Sequence, residues 1–224
     1  PCFALAAQHH MARYGTTEAQ MAMVSVKNHN HAAKNPCAHF QKGATLEQVL
    51  CSRMISTPFR LFMCSPITDG AAAVIVASEE RARRLTDDPV WIRGTGQAVD
   101  GFTLSSLPED YARWPALERA AGDAYRMAGI GPGDVDVAEV HDCFAIAEIC
   151  CVEALGLVER GKGNAAARTG YTALGGCIPV NTSGGLKAKG HPVGATGIAQ
   201  AIEIFEQLRG AAGQRQVDGA RVGM

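Results

Sequence analysis

Two stretches of this sequence carry side chains suited to acid–base chemistry. The first is the run from Asn181 to Gly197, which places a single histidine, His191, among five glycines. Glycine loses the most backbone entropy on ordering, so a run this rich in glycine serves backbone geometry rather than core packing. Apolar residues at helical spacing follow it and predict a helix soon after His191. We therefore expect His191 to lie near free N–H groups that can bind an anion or oxyanion. For this run alone, a structural turn with a surface histidine is the simpler interpretation.

The second stretch runs from His141 to Phe144, at the junction of a strand predicted over 135–140 and a helix predicted over 143–155. In open α/β sheets ligands gather at the carboxyl ends of strands, and His141 and Cys143 fall at such an end. A thiol in the first turn of a helix is also favoured as thiolate by the helix dipole. For a single junction, a purely structural interpretation is equally good. Cys143 would then be a small buried hydrophobic residue and His141 a capping or solvated residue.

Helices and strands alternate through the chain that must position these residues. Helices are predicted over 3–14, after a cap at Thr16 or Thr17, after Thr45, over 79–85 after Ser78, and over 115–128 before Gly129. Strands are predicted over 71–77, 90–99 and 135–140. This alternation predicts an α/β fold with a central sheet flanked by helices.

Composition excludes several classes of function. With 224 residues, 47% of them hydrophobic and 19% charged, the chain has the composition of a globular protein with a substantial core. The formal net charge of -1 offers no electrostatic reason to bind nucleic acid or a membrane surface. No apolar run is long enough to span a membrane and no signal peptide is visible, so the cytoplasm is the predicted location. The eight cysteines include no CxxC pair, which favours reduced thiols.

Two further site types are weakly supported. His29, His31, Cys37 and His39 offer four potential metal ligands, but their spacing matches no zinc pattern and the segment reads as a polar loop. No phosphate-binding run of the G-x-x-x-x-G-K-[ST] kind is present, which excludes that mode of nucleotide binding. We predict neither a metal nor a nucleotide cofactor.

With both stretches in view, the sequence resembles the thiolases, most closely the sterol carrier protein type of thiolase. The signatures are His-Asp-Cys-Phe over 141–144, Gly-His-Pro over 190–192, and Ser-Pro-Ile-Thr-Asp-Gly-Ala-Ala-Ala over 65–73. The segment 27–29, together with Asn35-Pro36, is similar to the loop region of that subtype. The resemblance extends over nearly the whole chain, and the two histidine motifs together are far more specific than either alone.

The resemblance implies a role for each residue of these motifs. His191 would activate a nucleophilic cysteine by taking its proton, and His141 would donate to the thioester carbonyl oxygen in an oxyanion hole. Cys143 would be the acid/base that moves the α-proton of the acyl unit. The substrate would be an acyl-CoA or 3-ketoacyl-CoA, undergoing Claisen condensation or thiolytic cleavage, with coenzyme A as part of the substrate and no bound cofactor. Contacts to substrate and coenzyme A are expected from Ser65, Asn181, Gly184, Gly185 and Gly190.

The same resemblance predicts the domain organisation. Residues 1–60 would be a helical, loop-rich insertion, 61–87 the last strand and helix of the N-terminal thiolase domain, and 88–224 the C-terminal thiolase domain without its last strands. Together they would form the C-terminal half of a five-layered α/β/α/β/α architecture with a mixed sheet. The nucleophilic cysteine belongs to a segment preceding these residues in the family, so the 224 residues alone are expected to be inactive. Cys2 lies in a predicted helix and is not assigned as that nucleophile.

An alternative function is a non-catalytic one. The chain would then be a thiolase-like subunit or an acyl-CoA binding partner of another enzyme. A homo-oligomer, or assembly with an N-terminal thiolase half, is expected in either case. A pure scaffold has no need for His141, Cys143 and His191 together, and this favours the enzyme.

Overall fold

The computed structural model describes residues 2–101 and 110–224, and the regular secondary structure within them is mainly helical. The α-helices within those residues are α1 (Cys2–Tyr14), α2 (Glu18–Ala32), α3 (Leu46–Cys51), α4 (Glu79–Leu85), α5 (Pro115–Ala128), α6 (Ala145–Ala154), α7 (Gly163–Thr169), α8 (Gly185–Ala188) and α9 (Thr196–Leu208). Strands β1 (Met54–Ser56) and β2 (Phe59–Arg60) form a short antiparallel hairpin. Short 3-10 turns lie at Leu61–Met63, Pro132–Asp134 and Gly213–Arg215.

The helix starts predicted from capping residues are confirmed. Thr17 accepts a hydrogen bond from the backbone N–H of Gln20, whose side chain returns to the backbone of Thr17. Thr45 and Gln48 form the same reciprocal capping box at the start of α3. Ser78 caps α4 in the predicted position. These starts were readable from the sequence because a cap joins residues only three positions apart.

Two of the predicted strands have no partner within the described parts of the chain. Segments 71–77 and 90–99 join no hydrogen-bonded ladder there, so the prediction that they form paired strands is wrong for this part of the protein. The physical reason is that a strand needs a neighbouring backbone to satisfy its N–H and C=O groups. Apolar side chains of both segments face solvent instead, with Ile75 95% exposed and Ile92 70% exposed.

The third predicted strand, over 135–140, is formed only in part. Val137 makes an isolated parallel bridge with Gly223, and Ala138 makes another with Val180. The segment therefore lies between two neighbouring backbones, as a strand of a parallel sheet does. Its carboxyl end leads directly into the turn that carries His141.

Helix α6 lies at the centre of the core. All ten of its residues are buried, which is typical of a helix packed on every side. One face meets the apolar residues of α1, α2 and α3, and another meets those of α5 and the 135–140 segment. Within the described residues no helix combines the length and apolarity that a membrane span requires. Because the turn before α6 carries Cys143, a well-packed helix fixes the position of that turn.

Candidate active site

Two turns bring His141 and His191 side by side. His141 follows the 135–140 segment, and His191 follows α8 by way of Lys189 and Gly190. Their imidazole rings meet edge to face, with centroids 5.0 Å apart and an interplanar angle of 82°. His141 is exposed and His191 is half-buried, so both rings are accessible to a ligand. The sequence predicted that these residues share one site, and the structure brings them together.

The hydrogen bonds of His191 define which ring nitrogen can accept a proton. Its Nδ1 lies 2.8 Å from the Thr196 hydroxyl oxygen. That hydroxyl donates its single proton to the Pro192 carbonyl oxygen at 3.0 Å, so it can only accept from His191. Nδ1 of His191 therefore carries the proton and Nε2 keeps a lone pair. A histidine in this tautomer is ready to act as a base through Nε2.

Both histidines are held in the neutral form. Burial lowers the pKa of His191 below its ordinary value, and the neighbouring His141 lowers it further. Partial removal from water also lowers the pKa of His141, although its surface stays accessible and Asp142 acts in the opposite direction. At neutral pH His191 is therefore available as a proton acceptor, and His141 is available as a neutral hydrogen-bond donor or acceptor.

Cys143 lies in an apolar environment within the 141–144 turn. Its side chain packs with Ala147 and Leu186, and the residue is 6% exposed. Burial raises the pKa of the thiol to about 11, against the opposing effect of Lys187. The prediction that Cys143 stands in the first turn of a helix is wrong, because α6 begins at Ala145 and the thiol precedes it. At neutral pH Cys143 is a protonated thiol, which suits a proton donor.

Asp142 connects the 141–144 turn to α8, the helix that precedes His191. Its carboxylate is fully buried and accepts from the Lys187 ammonium at 2.7 Å, from the Leu186 backbone N–H at 2.6 Å and from the Asn28 amide at 2.7 Å. Burial opposes the charged form, but the ion pair with Lys187 and these hydrogen bonds hold the pKa of Asp142 below its ordinary value. The contacts fix the 141–144 turn against α8. Sequence reasoning assigned no role to Asp142 or Lys187, although both lie within the two stretches it singled out.

A second buried network supports the start of the glycine-rich run. Asn181 has a φ of 57° and is fully buried. Its side-chain oxygen accepts from the backbone N–H of Val140 at 2.9 Å, and its amide donates to Glu148 at 2.8 Å. Glu148 also pairs with Lys27 at 2.6 Å. Asn181 thereby ties the end of the 135–140 segment to α6, and its polar side-chain atoms are engaged within the protein.

The predicted glycine contacts have structural partners in the chain. Gly184 and Gly185 have φ values of 105° and 60°, where a side chain is strained. A Cβ on Gly185 would lie 2.4 Å from an Asp142 carboxylate oxygen, and one on Gly184 would lie 2.5 Å from the Cβ of Ala32. These positions require glycine for close backbone approach. Their role in binding substrate, like that of Asn181, stays a prediction.

Ser65 and Gly190 adjoin the two turns that carry the candidate residues. The backbone N–H of Ser65 donates to the Cys143 carbonyl oxygen at 2.9 Å, so the 65–73 segment is attached to the 141–144 turn. Gly190 has a φ of 113°, and a Cβ there would lie 2.9 Å from Thr68. The same two segments border an open cavity of about 460 Å³, lined by residues 68–72 and 192–195. Ser65 and Gly190 do not themselves line this cavity, and substrate contacts by these two residues stay predictions.

The histidine-rich segment of α2 does not converge on a metal. His31 donates from Nδ1 to the Asn181 carbonyl oxygen at 2.9 Å and accepts from the Leu174 N–H at 3.0 Å, so both ring nitrogens are engaged. Burial lowers the pKa of His31 to about 3. The ring of His29 packs beside aromatic rings, with its centroid 5.6 Å from that of Phe40. Over residues 2–101 and 110–224, no three side chains of the ligating types form a cluster suited to a metal.

Comparison with known proteins connects this geometry with one family. Residues 96–224 match the family described as "Thiolase C-terminal domain-like". The chain is 53% identical over 222 residues to the acetyl-CoA acetyltransferase of Methanothermobacter thermautotrophicus, an alignment that covers 99% of this chain and 58% of the relative. It is 41% identical to sterol carrier protein 2 of Oryctolagus cuniculus, over 99% of this chain and 41% of that protein. The chain thus spans about half the length of these relatives.

Solved structures confirm the predicted thiolase-like α/β fold. The structure titled "Ltp2-ChsH2(DUF35) aldolase" superposes with a TM-score of 0.85 at 28% identity, covering 94% of this chain and 56% of that one. A monomeric SCP2-thiolase like protein from Mycobacterium smegmatis superposes with a TM-score of 0.69 at 23% identity, covering 93% of this chain and 45% of that one.

Proposed function

This chain belongs to the thiolase family, and we propose that it carries the acid–base half of a thiolase active site that acts on acyl thioesters of coenzyme A. The observation that carries the proposal is the edge-to-face contact of His141 and His191, with the buried thiol of Cys143 in the same turn as His141. The reaction is thiolytic cleavage of a 3-ketoacyl-CoA, or the reverse Claisen condensation. A nucleophilic cysteine from outside these 224 residues would complete the site, and without it this stretch alone is inactive.

Each side chain has a role that fits its environment. His191 takes the proton of the nucleophilic cysteine at Nε2, because Thr196 holds the other ring nitrogen protonated. His141 donates a hydrogen bond to the thioester carbonyl oxygen, where negative charge develops. Cys143 exchanges a proton with the α-carbon of the acyl unit: in condensation its thiolate removes that proton, and in cleavage its thiol returns one. The open cavity lined by residues 68–72 and 192–195 begins one residue after His191 and is the proposed place for part of the thioester.

Exposed apolar surface supports the predicted domain organisation. Segments 71–77 and 90–99 leave Ile75 and Ile92 largely exposed, as expected for strands whose partners lie in another part of the assembly. Residues 61–87 then belong with an N-terminal thiolase domain and 88–224 form the C-terminal one, while α1 to α3 cover the core as the insertion over 1–60. Partnership with an N-terminal half is part of this proposal.

Replacement of Cys143 by alanine tests the proposed function. In the complete gene product, Cys143→Ala should abolish exchange of the α-protons of acetyl-CoA with deuterated solvent, because the acid/base is gone. Binding of coenzyme A, measured by calorimetry, should change little. Exchange at the wild-type rate in the variant would show that the acid/base lies elsewhere.

A second candidate is supported by one structural neighbour. The structure titled as an Ltp2-ChsH2(DUF35) aldolase has this fold in an assembly with another protein. On this alternative, the chain is a thiolase-like subunit that binds an acyl-CoA together with a partner and forms no acyl-enzyme. The two candidates differ in one measurable property: a thiolase forms a covalent acyl-enzyme with acetyl-CoA, whereas a subunit of this second kind binds the thioester without reacting.

A further inference from the structure

Lys187 is a buried cation within the candidate site, outside the residues assigned so far. It lies on α8 and is 1% exposed. Its ammonium group is 2.7 Å from the Asp142 carboxylate and 3.2 Å from the Asp142 backbone carbonyl oxygen. That carbonyl belongs to the peptide group joining Asp142 to Cys143. Lys187 thus binds the 141–144 turn at Asp142, the residue between His141 and Cys143.

A buried ammonium group calls for an explanation, because removing a charge from water costs free energy. The effective desolvation penalty is several kcal/mol per ion even after relaxation. Lys27 and Lys187 face Asp142 and Glu148 in one buried group of charges, so the group is balanced when Cys143 is a neutral thiol. A thiolate at Cys143 adds one negative charge to it. Lys187 is the cation whose field already opposes the effect of burial on that thiol.

We propose that Lys187 is a positioning residue that fixes the 141–144 turn and supplies the positive charge that stabilises the Cys143 thiolate. This inference rests on the proposed function, in which the S–H bond of Cys143 breaks, the sulfur keeps the electron pair and the proton passes to the α-carbon. The negative charge then sits in the apolar cluster with Ala147 and Leu186. Lys187 and Asp142 are the charged side chains that act most strongly on the Cys143 thiol, and Cys151 is a further titratable group coupled to it. Of the two charged side chains, Lys187 is the cation, and its ammonium contacts the carbonyl oxygen of the residue before Cys143.

The reactivity of Cys143 toward iodoacetamide tests this inference without relying on turnover. Alkylation needs the thiolate, so its rate between pH 7 and pH 10, resolved by mass spectrometry, follows the thiolate fraction. In Lys187→Met the Cys143 rate should fall about tenfold, the effect of a rise of about one pKa unit. Lys187→Arg keeps the charge and should alkylate close to the wild-type rate. Exposed Cys37 provides an internal control in every sample.

Lys189→Met is the matched control variant. Lys189 lies two residues away, its ammonium is 3.8 Å from Glu139, and its charge is not among the main influences on the Cys143 thiol. Its replacement removes the same charge and should leave the Cys143 profile unchanged. Because Lys187→Met leaves Asp142 buried without its partner, the double variant Asp142→Asn/Lys187→Met, which buries no unpaired charge, is measured as well. In it the rate should also lie below that of the wild type, since Lys187 outweighs Asp142 at this thiol.

Failure of the inference and failure of the proposed function are distinguishable. An unchanged Cys143 profile in folded Lys187→Met, or in the double variant, would overturn the inference even if Cys143→Ala abolishes α-proton exchange. A tenfold loss of alkylation, with Lys187→Arg restoring it, supports the inference even if Cys143→Ala leaves exchange intact, in which case the proposed function is wrong. An equal loss in Lys189→Met would also overturn the inference, because the effect would then belong to charge removal in general.

Discussion

His191 and Cys143 are both uncharged at neutral pH, because burial shifts the pKa values of a base and of an acid in opposite directions. Burial disfavours the charged form of any side chain, so it lowers the pKa of His191 and raises that of Cys143 to about 11. The histidine is left with a free lone pair and the cysteine with a proton. A proton acceptor and a proton donor are therefore both available to the proposed reaction.

The tautomer of His191 depends on one hydroxyl group. Thr196→Val removes the acceptor for Nδ1–H while keeping the size of the side chain, so the ring can adopt the tautomer with a proton on Nε2. We expect acylation of the nucleophilic cysteine by acetyl-CoA to slow about tenfold or more, as for a mispositioned general base. Thr196→Ser keeps the hydroxyl and should acylate close to the wild-type rate. A wild-type acylation rate in Thr196→Val, measured by rapid quench, would contradict the assigned tautomer.

The sequence singled out the candidate catalytic side chains but not the contacts that hold them. His141, Cys143 and His191 were readable because their motifs are contiguous and their types are chemically distinctive. The roles of Thr196 and Lys187 depend on contacts that form only when the chain has folded. No spacing along the chain encodes the 2.7 Å contact between Lys187 and Asp142, since the two residues lie on separate elements.

At the scale of elements, the 141–144 turn and α8 approach each other closely. Gly185→Ala should lower the free energy of unfolding by about 2 to 4 kcal/mol, because φ is 60° and the new Cβ would lie 2.4 Å from Asp142. Gly194→Ala is the control in the same run, with nothing within 4 Å of its Cβ. It should change the unfolding free energy by no more than about 0.5 kcal/mol. Equal effects of the two substitutions in urea unfolding would contradict this account of the junction.

Helix starts and strands differed in how well the sequence predicted them. A cap such as Thr17 with Gln20 is complete within one turn of chain, so its residues suffice to predict it. A strand such as 71–77 has the right apolar pattern, but its hydrogen bonds need a backbone from elsewhere. The four-residue helix α8 was missed for a related reason, since its contacts with α2 and Asp142 stabilise it rather than its own glycine-rich sequence.

For the whole molecule, stability should depend on pH through a buried carboxyl group. Burial raises the pKa of Glu139 from 4.5 to about 7, with Lys189 acting in the opposite direction. Because the folded-state pKa exceeds the unfolded one, the stability from this group is complete below pH 4.5 and is lost as the pH rises through about 7. Glu139→Gln removes the titration.

The two proteins should therefore differ in how their stability changes with pH. Between pH 5 and pH 8, the wild type should lose about 2 to 3 kcal/mol of unfolding free energy relative to Glu139→Gln. Urea unfolding of both proteins at the two pH values measures this difference. If the difference in unfolding free energy between the two proteins is the same at both pH values, the pKa of Glu139 is not raised in the folded state.

The central claim is that His141, Cys143 and His191 act together with a nucleophilic cysteine that is not one of the eight cysteines in this sequence. Incubation of the complete gene product with acetyl-CoA, followed by peptide mass spectrometry, measures where the acetyl group goes. We predict acetylation of a cysteine outside these 224 residues, slowed about a hundredfold or more by His191→Ala, which removes the positioned base. An acetyl group on Cys2, Cys143 or another of the eight cysteines, or an acylation rate unaffected by His191→Ala, would contradict the account.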